Sequence, residues 1–245
     1  MTNLIDCDAY RVTLSHDELA RCDRFHFPRD RYDFANAHDL LRRTLSRYHI
    51  TPPHAWRFEV GPYGKPFLSP TLLGEDSDAP LMFNLSHTLG LAACVVTRGA
   101  MVGVDLERGE HLWDALALAS RFFSPLEVAG LHACGEDDRT HRFLQLWTLK
   151  ESFIKAIGTG LSQPLESFSF ELTEETIRFT PPPEFAPVTS HFAQYEPMPG
   201  IVMAIAVCGP PVAQIVARAI EGDVSLETRP TRTTQPTPLA TDLSI

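Results

Sequence analysis

The chain has 245 residues, of which 44% are hydrophobic and 21% charged, and a formal net charge of −10. That length suits one large domain or two small ones, and the composition suits a soluble globular protein whose core needs no disulfides. The acidic balance argues against general nucleic-acid binding, and the longest unbroken apolar run, Ile201 to Cys208, is far too short to cross a membrane.

Five cysteines (7, 22, 94, 134 and 208) show neither CxxC nor zinc-like spacing, so reduced thiols in the cytoplasm are expected. Asp6 and Asp8 precede the first arginine, which does not fit a signal peptide. A short strand is predicted around Ala9–Val12. Ser15 with Glu18 three residues later reads as a capping box that opens a helix running to about Phe25. Between Arg21 and Arg47, seven arginines face four aspartates, a basic island in an acidic chain. A mixed solvated helix face explains such an island; so does an anion site, because arginine forks match phosphate oxygens. A second helix is predicted over Asn36–Tyr48, ended by Pro52-Pro53.

Trp56 to Val60 alternates like a strand, and Gly61-Pro62-Tyr63-Gly64-Lys65-Pro66 is a turn holding one lysine. Leu81–Phe83 enters Asn84-Leu85-Ser86-His87-Thr88. Leu91–Thr97 and Met101–Glu107 read as two strands of a hairpin turning at Arg98-Gly99. Alternation puts Asp105 and Glu107 on one strand face, where two carboxylates repel unless water or a cation lies between them. A water-facing edge strand explains that pair as well as a Mg²⁺ site does. Ser86 next to His87 is not a catalytic dyad, since adjacent strand residues diverge, and no GxSxG accompanies it.

Helices are predicted at Asp114–Arg121 and Ser124–Leu131, the second with a serine cap, a proline at the first position and Glu127 at the third. Gly135–Asp138 reads as an acidic loop. A helix from about Arg142 then carries Phe143, Leu146, Trp147, Ile154 and Ile157 on one apolar arc, and Gly158 and Gly160 stop it. Glu151 and Lys155, four apart, are surface neighbours at the rim of the arc. On their own they amount to a weak ion pair. Lys150 falls inside the arc. Strands are predicted at Ser167–Leu172, Ile177–Thr180, His191–Tyr195 and Ile201–Val207, and a Thr/Pro-rich flexible tail from about 221.

In order, RFHFPRDR, YGKP, FNLSHT, GVDLE, RFFSPLE and WTLKESFIKAIGTGLSQPL resemble the Sfp-type 4′-phosphopantetheinyl transferase family (the Gsp/Sfp/HetI/AcpT type) from about Leu14 to Phe170. The resemblance implies an α+β fold of two similar subdomains related by a pseudo-twofold, each a small antiparallel sheet with a long helix, and an active site in the cleft between them. It divides the chain into residues 1–100 on the coenzyme A phosphate side, 101–220 with the metal and the catalytic helix, and the tail 221–245. It implies transfer of the phosphopantetheine arm of coenzyme A to a serine of an apo carrier protein, with adenosine 3′,5′-bisphosphate as the other product. Mg²⁺ is expected on Asp105, Glu107 and Glu151. Glu151 is expected to take part as base, and Lys155 to face the leaving phosphate. Arg29, Arg31, Lys65, Ser86 and His87 are expected on coenzyme A, with Arg24 a weaker choice. A cytoplasmic monomer acting on carrier proteins, without nucleic acid or membrane, is expected. Two other function classes fit parts of the pattern: a non-catalytic coenzyme A or carrier-binding protein, and a Mg²⁺-dependent phosphohydrolase.

Overall fold

The computed structural model describes residues 7–69, 79–88, 90–109, 114–210, 215–221, 224–228 and 230–234. It is a mixed fold in which helices pack on small antiparallel sheets. At the N-terminus, the expected strand is instead helix α1 (Asp8–Arg11). Its charges suit the helix dipole, with Asp8 in the first turn and Arg11 in the last, and Arg11 goes on to pair with Asp23 at 2.8 Å. Helix α2 (His16–Cys22) begins at the predicted capping box, with both reciprocal bonds between Ser15 and Glu18 formed. Helix α3 (Pro28–Leu45) starts eight residues earlier than its apolar pattern suggests, because Pro28 sits at its first turn, where a missing N–H costs nothing. It ends at Ser46, ahead of the proline pair.

The hairpin of β1 (Phe58–Val60) and β2 (Pro66–Leu68) closes around the Lys65 turn. The next strands correct the expected pairing. β3 (Leu81–Thr88) pairs along its whole length with β4 (Leu91–Arg98), whereas β5 (Met101–Arg108) leaves β4 and pairs with β9 (Ile201–Cys208). Gly90, at φ +78°, supplies the left-handed position that the tight β3–β4 connection requires. Leu41 and Leu45 of α3 bury with Trp56, Leu68, Leu81 and Phe83 to form the core under this hairpin.

Helices α4 (Ala115–Phe122) and α5 (Pro125–Ala133) start where expected, with Asp114 capping the first and the predicted Ser124 cap opening the second. Helix α6 (Glu136–Ile157) is longer than expected. The segment read as an acidic loop is its first turn, where Glu136, Asp137 and Asp138 meet the positive end of the dipole. Gly158, at φ +75°, ends it, donating its N–H to the Ile154 carbonyl. Strands β6 (Ser169–Leu172) and β7 (Ile177–Thr180) form a hairpin, and β8 (Ser190–Met198) joins the larger sheet. α6 buries Phe143, Leu149, Phe153 and Ile154 against β5, β9 and a cluster of rings from Phe168, Phe170 and Phe192.

Part of the segment expected to be a flexible tail is built into strands. β10 (Ala217–Glu221) pairs with β11 (Val224–Thr228), and β12 (Arg232–Thr233) pairs with β8, giving the sheet order β12-β8-β9-β5. Main-chain bonding holds β12 without an apolar period: Thr231 N–H reaches the Gln194 carbonyl at 2.8 Å, and Thr234 N–H the Phe192 carbonyl at 3.0 Å. Residues 235–245 of the expected tail lie outside the described residues.

Candidate active site

The site is assembled from one strand and one helix held in direct contact. At Gly103 of β5, a Cβ would overlap the Ser152 carbonyl and the Ala156 amide of α6. Only glycine permits that approach, which brings the helix backbone onto the strand. Two residues further along β5 lies Asp105, and one turn along the helix from Glu151 lies Lys155. The Lys155 ammonium donates to Asp105 Oδ1 at 2.5 Å and to Ser86 Oγ at 3.4 Å. Ser86 in turn donates to Asp105 Oδ1 at 3.4 Å. β3 is fixed beside β5 by a side chain: Asn84 Oδ1 accepts the Val104 N–H at 2.8 Å.

Asp105, Glu107 and Glu151 share one electrostatic field. Burial pushes the Glu151 carboxyl up to about 7, the charges of Asp105 and Glu107 push the same way, and Lys155 opposes them. Burial also raises Asp105 against the pull of Lys155. Glu107 rises through burial and then through Asp105, with a hydrogen bond from Trp147 working against the rise. Three crowded carboxyls held above their ordinary range are what a cation-binding or base-bearing site looks like before its positive partner arrives. Among the described residues, no three His, Cys, Asp or Glu side chains are gathered closely enough to hold a metal ion as they stand. The donor set nonetheless fits a hard cation. All three are carboxylates, and Asp105 Oδ2 is buried without a hydrogen-bond partner.

Other expected site residues divide into two groups. Ser86 is buried inside the cluster, and His87, next on β3, stands at its rim. Desolvation pulls the His87 imidazole below its usual range; Asp33 opposes that, while His38, Lys155 and Arg21 add to it. The basic island and the cluster therefore meet around His87. Arg29 is exposed in the first turn of α3, 4.0 Å from Asp33, and is open to an anion. Arg24 is exposed as well. Arg31 is more committed, its Nε donating to the Phe25 carbonyl at 2.8 Å. Lys65 is turned in a different direction: its Nζ donates to the carbonyls of Val102 and Ala156, each at 2.9 Å.

Three residues that position the site lie outside the expected set. Asn84 and Gly103 each had a signal, an amide in an apolar strand and a glycine in a strand interior. Lys150 had only its odd place on the wheel. Its wholly buried ammonium meets Glu127 at 2.8 Å and donates to the carbonyls of Leu165 and Phe168, each at 2.7 Å. Phe168 also presents its ring face, 4.4 Å away. Glu127 uses its other oxygen to accept the Phe170 N–H at 2.9 Å. The pair thus locks α5, α6 and β6 together beneath the site.

Residues 101–205 match the 4′-phosphopantetheinyl transferase superfamily. The chain is 37% identical over 162 residues to the 4′-phosphopantetheinyl transferase HetI of Nostoc sp., covering 66% of each chain. It is 33% identical to the 4′-phosphopantetheinyl transferase Sfp of Bacillus subtilis, covering 80% of this chain and 83% of that one. It is 32% identical to the 4′-phosphopantetheinyl transferase ffp of Bacillus subtilis, covering 84% and 87%. With β5 and α6 both inside the matched span and relatives this similar over most of their length, the chain belongs to the 4′-phosphopantetheinyl transferase superfamily.

Proposed function

We propose that this protein transfers the 4′-phosphopantetheine arm of coenzyme A to a serine of an apo acyl, peptidyl or aryl carrier protein, releasing adenosine 3′,5′-bisphosphate. The observation that carries the reading is the set of three raised carboxyls facing one lysine across the β5–α6 contact. Asp105, Glu107 and Glu151 would hold Mg²⁺, with the unpartnered Oδ2 of Asp105 in favour. Bound there, Mg²⁺ would neutralise charge on the pyrophosphate.

The chain's own groups supply the rest. The serine oxygen forms a bond to the phosphorus that bears the pantetheine arm, and the bond from that phosphorus to the bridging oxygen breaks. Glu151, held at about 7, is tuned to take the serine proton near neutral pH. Lys155, already placed between Asp105 and Ser86, offers positive charge to the leaving phosphate. Ser86 and His87 would bind phosphate oxygens, and Arg29 and Arg31, with Arg24 a weaker choice, the 3′-phosphate. The two helix-and-hairpin halves, joined near Ala100, would stand in a pseudo-twofold relation, with coenzyme A in the cleft between them. A cytoplasmic monomer fits this reading. No helix among the described residues is long and apolar enough to cross a membrane.

The test incubates the protein with coenzyme A, Mg²⁺ and an apo carrier protein and weighs the carrier by mass spectrometry. A carrier heavier by one phosphopantetheine arm is expected. An unmodified carrier alongside steady release of the bisphosphate would replace transfer with phosphohydrolysis.

A further inference from the structure

The Lys65 side chain crosses from the β1–β2 turn to the two elements that carry the site. Its ammonium bridges the Val102 carbonyl of β5 and the Ala156 carbonyl of α6. Val102 adjoins Gly103, where strand and helix touch, and Ala156 follows Lys155 directly. The stem is held too: a Cβ at Gly158 would meet Lys65 Cδ at 3.3 Å, and one at Gly160 would meet the Tyr63 carbonyl at 4.0 Å. The turn is itself closed, since Gly61 N–H reaches the Lys65 carbonyl at 2.9 Å and Gly64 sits at φ +85°.

Ala156 is one of the last carbonyls of α6, which have no partner within the helix. A buried carbonyl left bare costs about 1–3 kcal/mol, so a donor at that point is a structural requirement. A cation also suits the negative end of the helix dipole. Burial brings the Lys65 amine down to about 8. Two of its three N–H donors thus go to main-chain carbonyls.

We propose that Lys65 is a positioning residue: it staples the end of α6 to β5 across the β1–β2 turn, and thereby holds Lys155 and Glu151 in register with Asp105. The proposal rests on the transferase reading only for its kinetic arm. Its structural arm stands alone.

The experiment compares wild type with Lys65→Met, which keeps the stem over Gly158 and removes the donor, and with Lys65→Arg, which restores a donor. Transfer kinetics are run with coenzyme A and with 3′-dephospho-coenzyme A, and amide hydrogen exchange is followed over residues 152–158. For Lys65→Met, kcat should fall about 10–100-fold with both substrates while KM for coenzyme A stays within about twofold. Exchange at the end of α6 should speed up about tenfold or more, and Lys65→Arg should restore part of both effects. If Lys65→Met does not fold, Lys65→Gln, whose shorter amide cannot bridge both carbonyls, carries the same two readouts with the same expected directions. A rise in KM for coenzyme A alone, absent with the dephospho substrate and with unchanged exchange, would make Lys65 a phosphate ligand and overturn the staple. Unchanged kinetics together with unchanged exchange would overturn it as well. If wild type shows no transfer at all, the kinetic arm and the proposed function fall together, and the exchange arm still decides the staple.

Discussion

Replacing Glu151 with glutamine should destroy activity and stabilise the protein, in a pH-dependent way. The carboxyl rises from an ordinary 4.5 to about 7 in the folded protein, mainly through burial. A carboxyl with a raised folded value binds its proton more tightly folded than unfolded. Its charge therefore costs nothing below pH 4.5, and the protein loses stability as pH climbs through the window from 4.5 to about 7. The full difference corresponds to about 3 kcal/mol, and partial solvent access reduces it to about 2 kcal/mol. Glutamine keeps the shape and never ionises, so Glu151→Gln should match wild type at pH 4.5 and exceed it by about 2 kcal/mol at pH 8. Urea unfolding of the metal-free proteins at both pH values, with m held in common, measures that difference. Subtracting one protein from the other removes the titrating groups that do not interact with Glu151, leaving its own contribution and its coupling to Asp105 and Glu107. A constant offset across the pH range, or a variant less stable at pH 8, would refute the account of this carboxyl as a desolvated, like-charge-crowded acid.

Three further outcomes follow from the same geometry. Asp105→Asn removes the buried negative charge at the centre of the cluster and exchanges one of its oxygens for an amide nitrogen, so transfer should fall by about 100-fold or more, and Mg²⁺, if it raises the melting temperature of wild type, should no longer do so; differential scanning with and without the ion checks this. Gly103→Ala forces a methyl into the α6 backbone and should cost about 3 kcal/mol, with transfer reduced about 100-fold in whatever remains folded, read by denaturant melts and initial rates. Lys150→Met strands the buried Glu127 and should cost about 3–5 kcal/mol, whereas the double variant with Glu127→Gln should recover part of that loss; a single variant within about 1 kcal/mol of wild type would show that the pair is not needed.

The residues that announced themselves in the sequence did so through local chemistry. The boxes at Ser15–Glu18 and Ser124–Glu127 act over three residues, so their hydrogen bonds follow from spacing alone. The D-x-E alternation placed Asp105 and Glu107 on one face for the same reason. Partners distant in the chain left no such mark. Arg42 belongs to a segment that reads as an anion-binding island, yet it is buried against Glu18 at 2.7 Å, spent on joining α2 to α3. Lys65 sits in a turn that reads as a phosphate contact, and nothing in that turn announces its bonds to two distant carbonyls. β5 takes its ladder partner from β9, because a strand edge is indifferent to sequence distance while a hairpin turn is not. The early starts of α3 and α6 lie where apolar period and charge disagree. Proline at the first turn and acids at the dipole's positive end outweighed a weak hydrophobic pattern.

The pairing of β5 with β9 also sets a timetable. Val104 lies opposite Ile205, so the strand that bears Asp105 finds its neighbour only after about a hundred more residues have been made. Contacts this remote form late, since a long loop must close before they reward the chain. On the ribosome the N-terminal hairpins and α3 can assemble early, while β5 waits with an unpaired edge until β9 emerges. The carboxylates at the heart of the site would then be brought to order last, and a chain arrested anywhere before residue 200 would present that edge to other chains instead of a completed sheet.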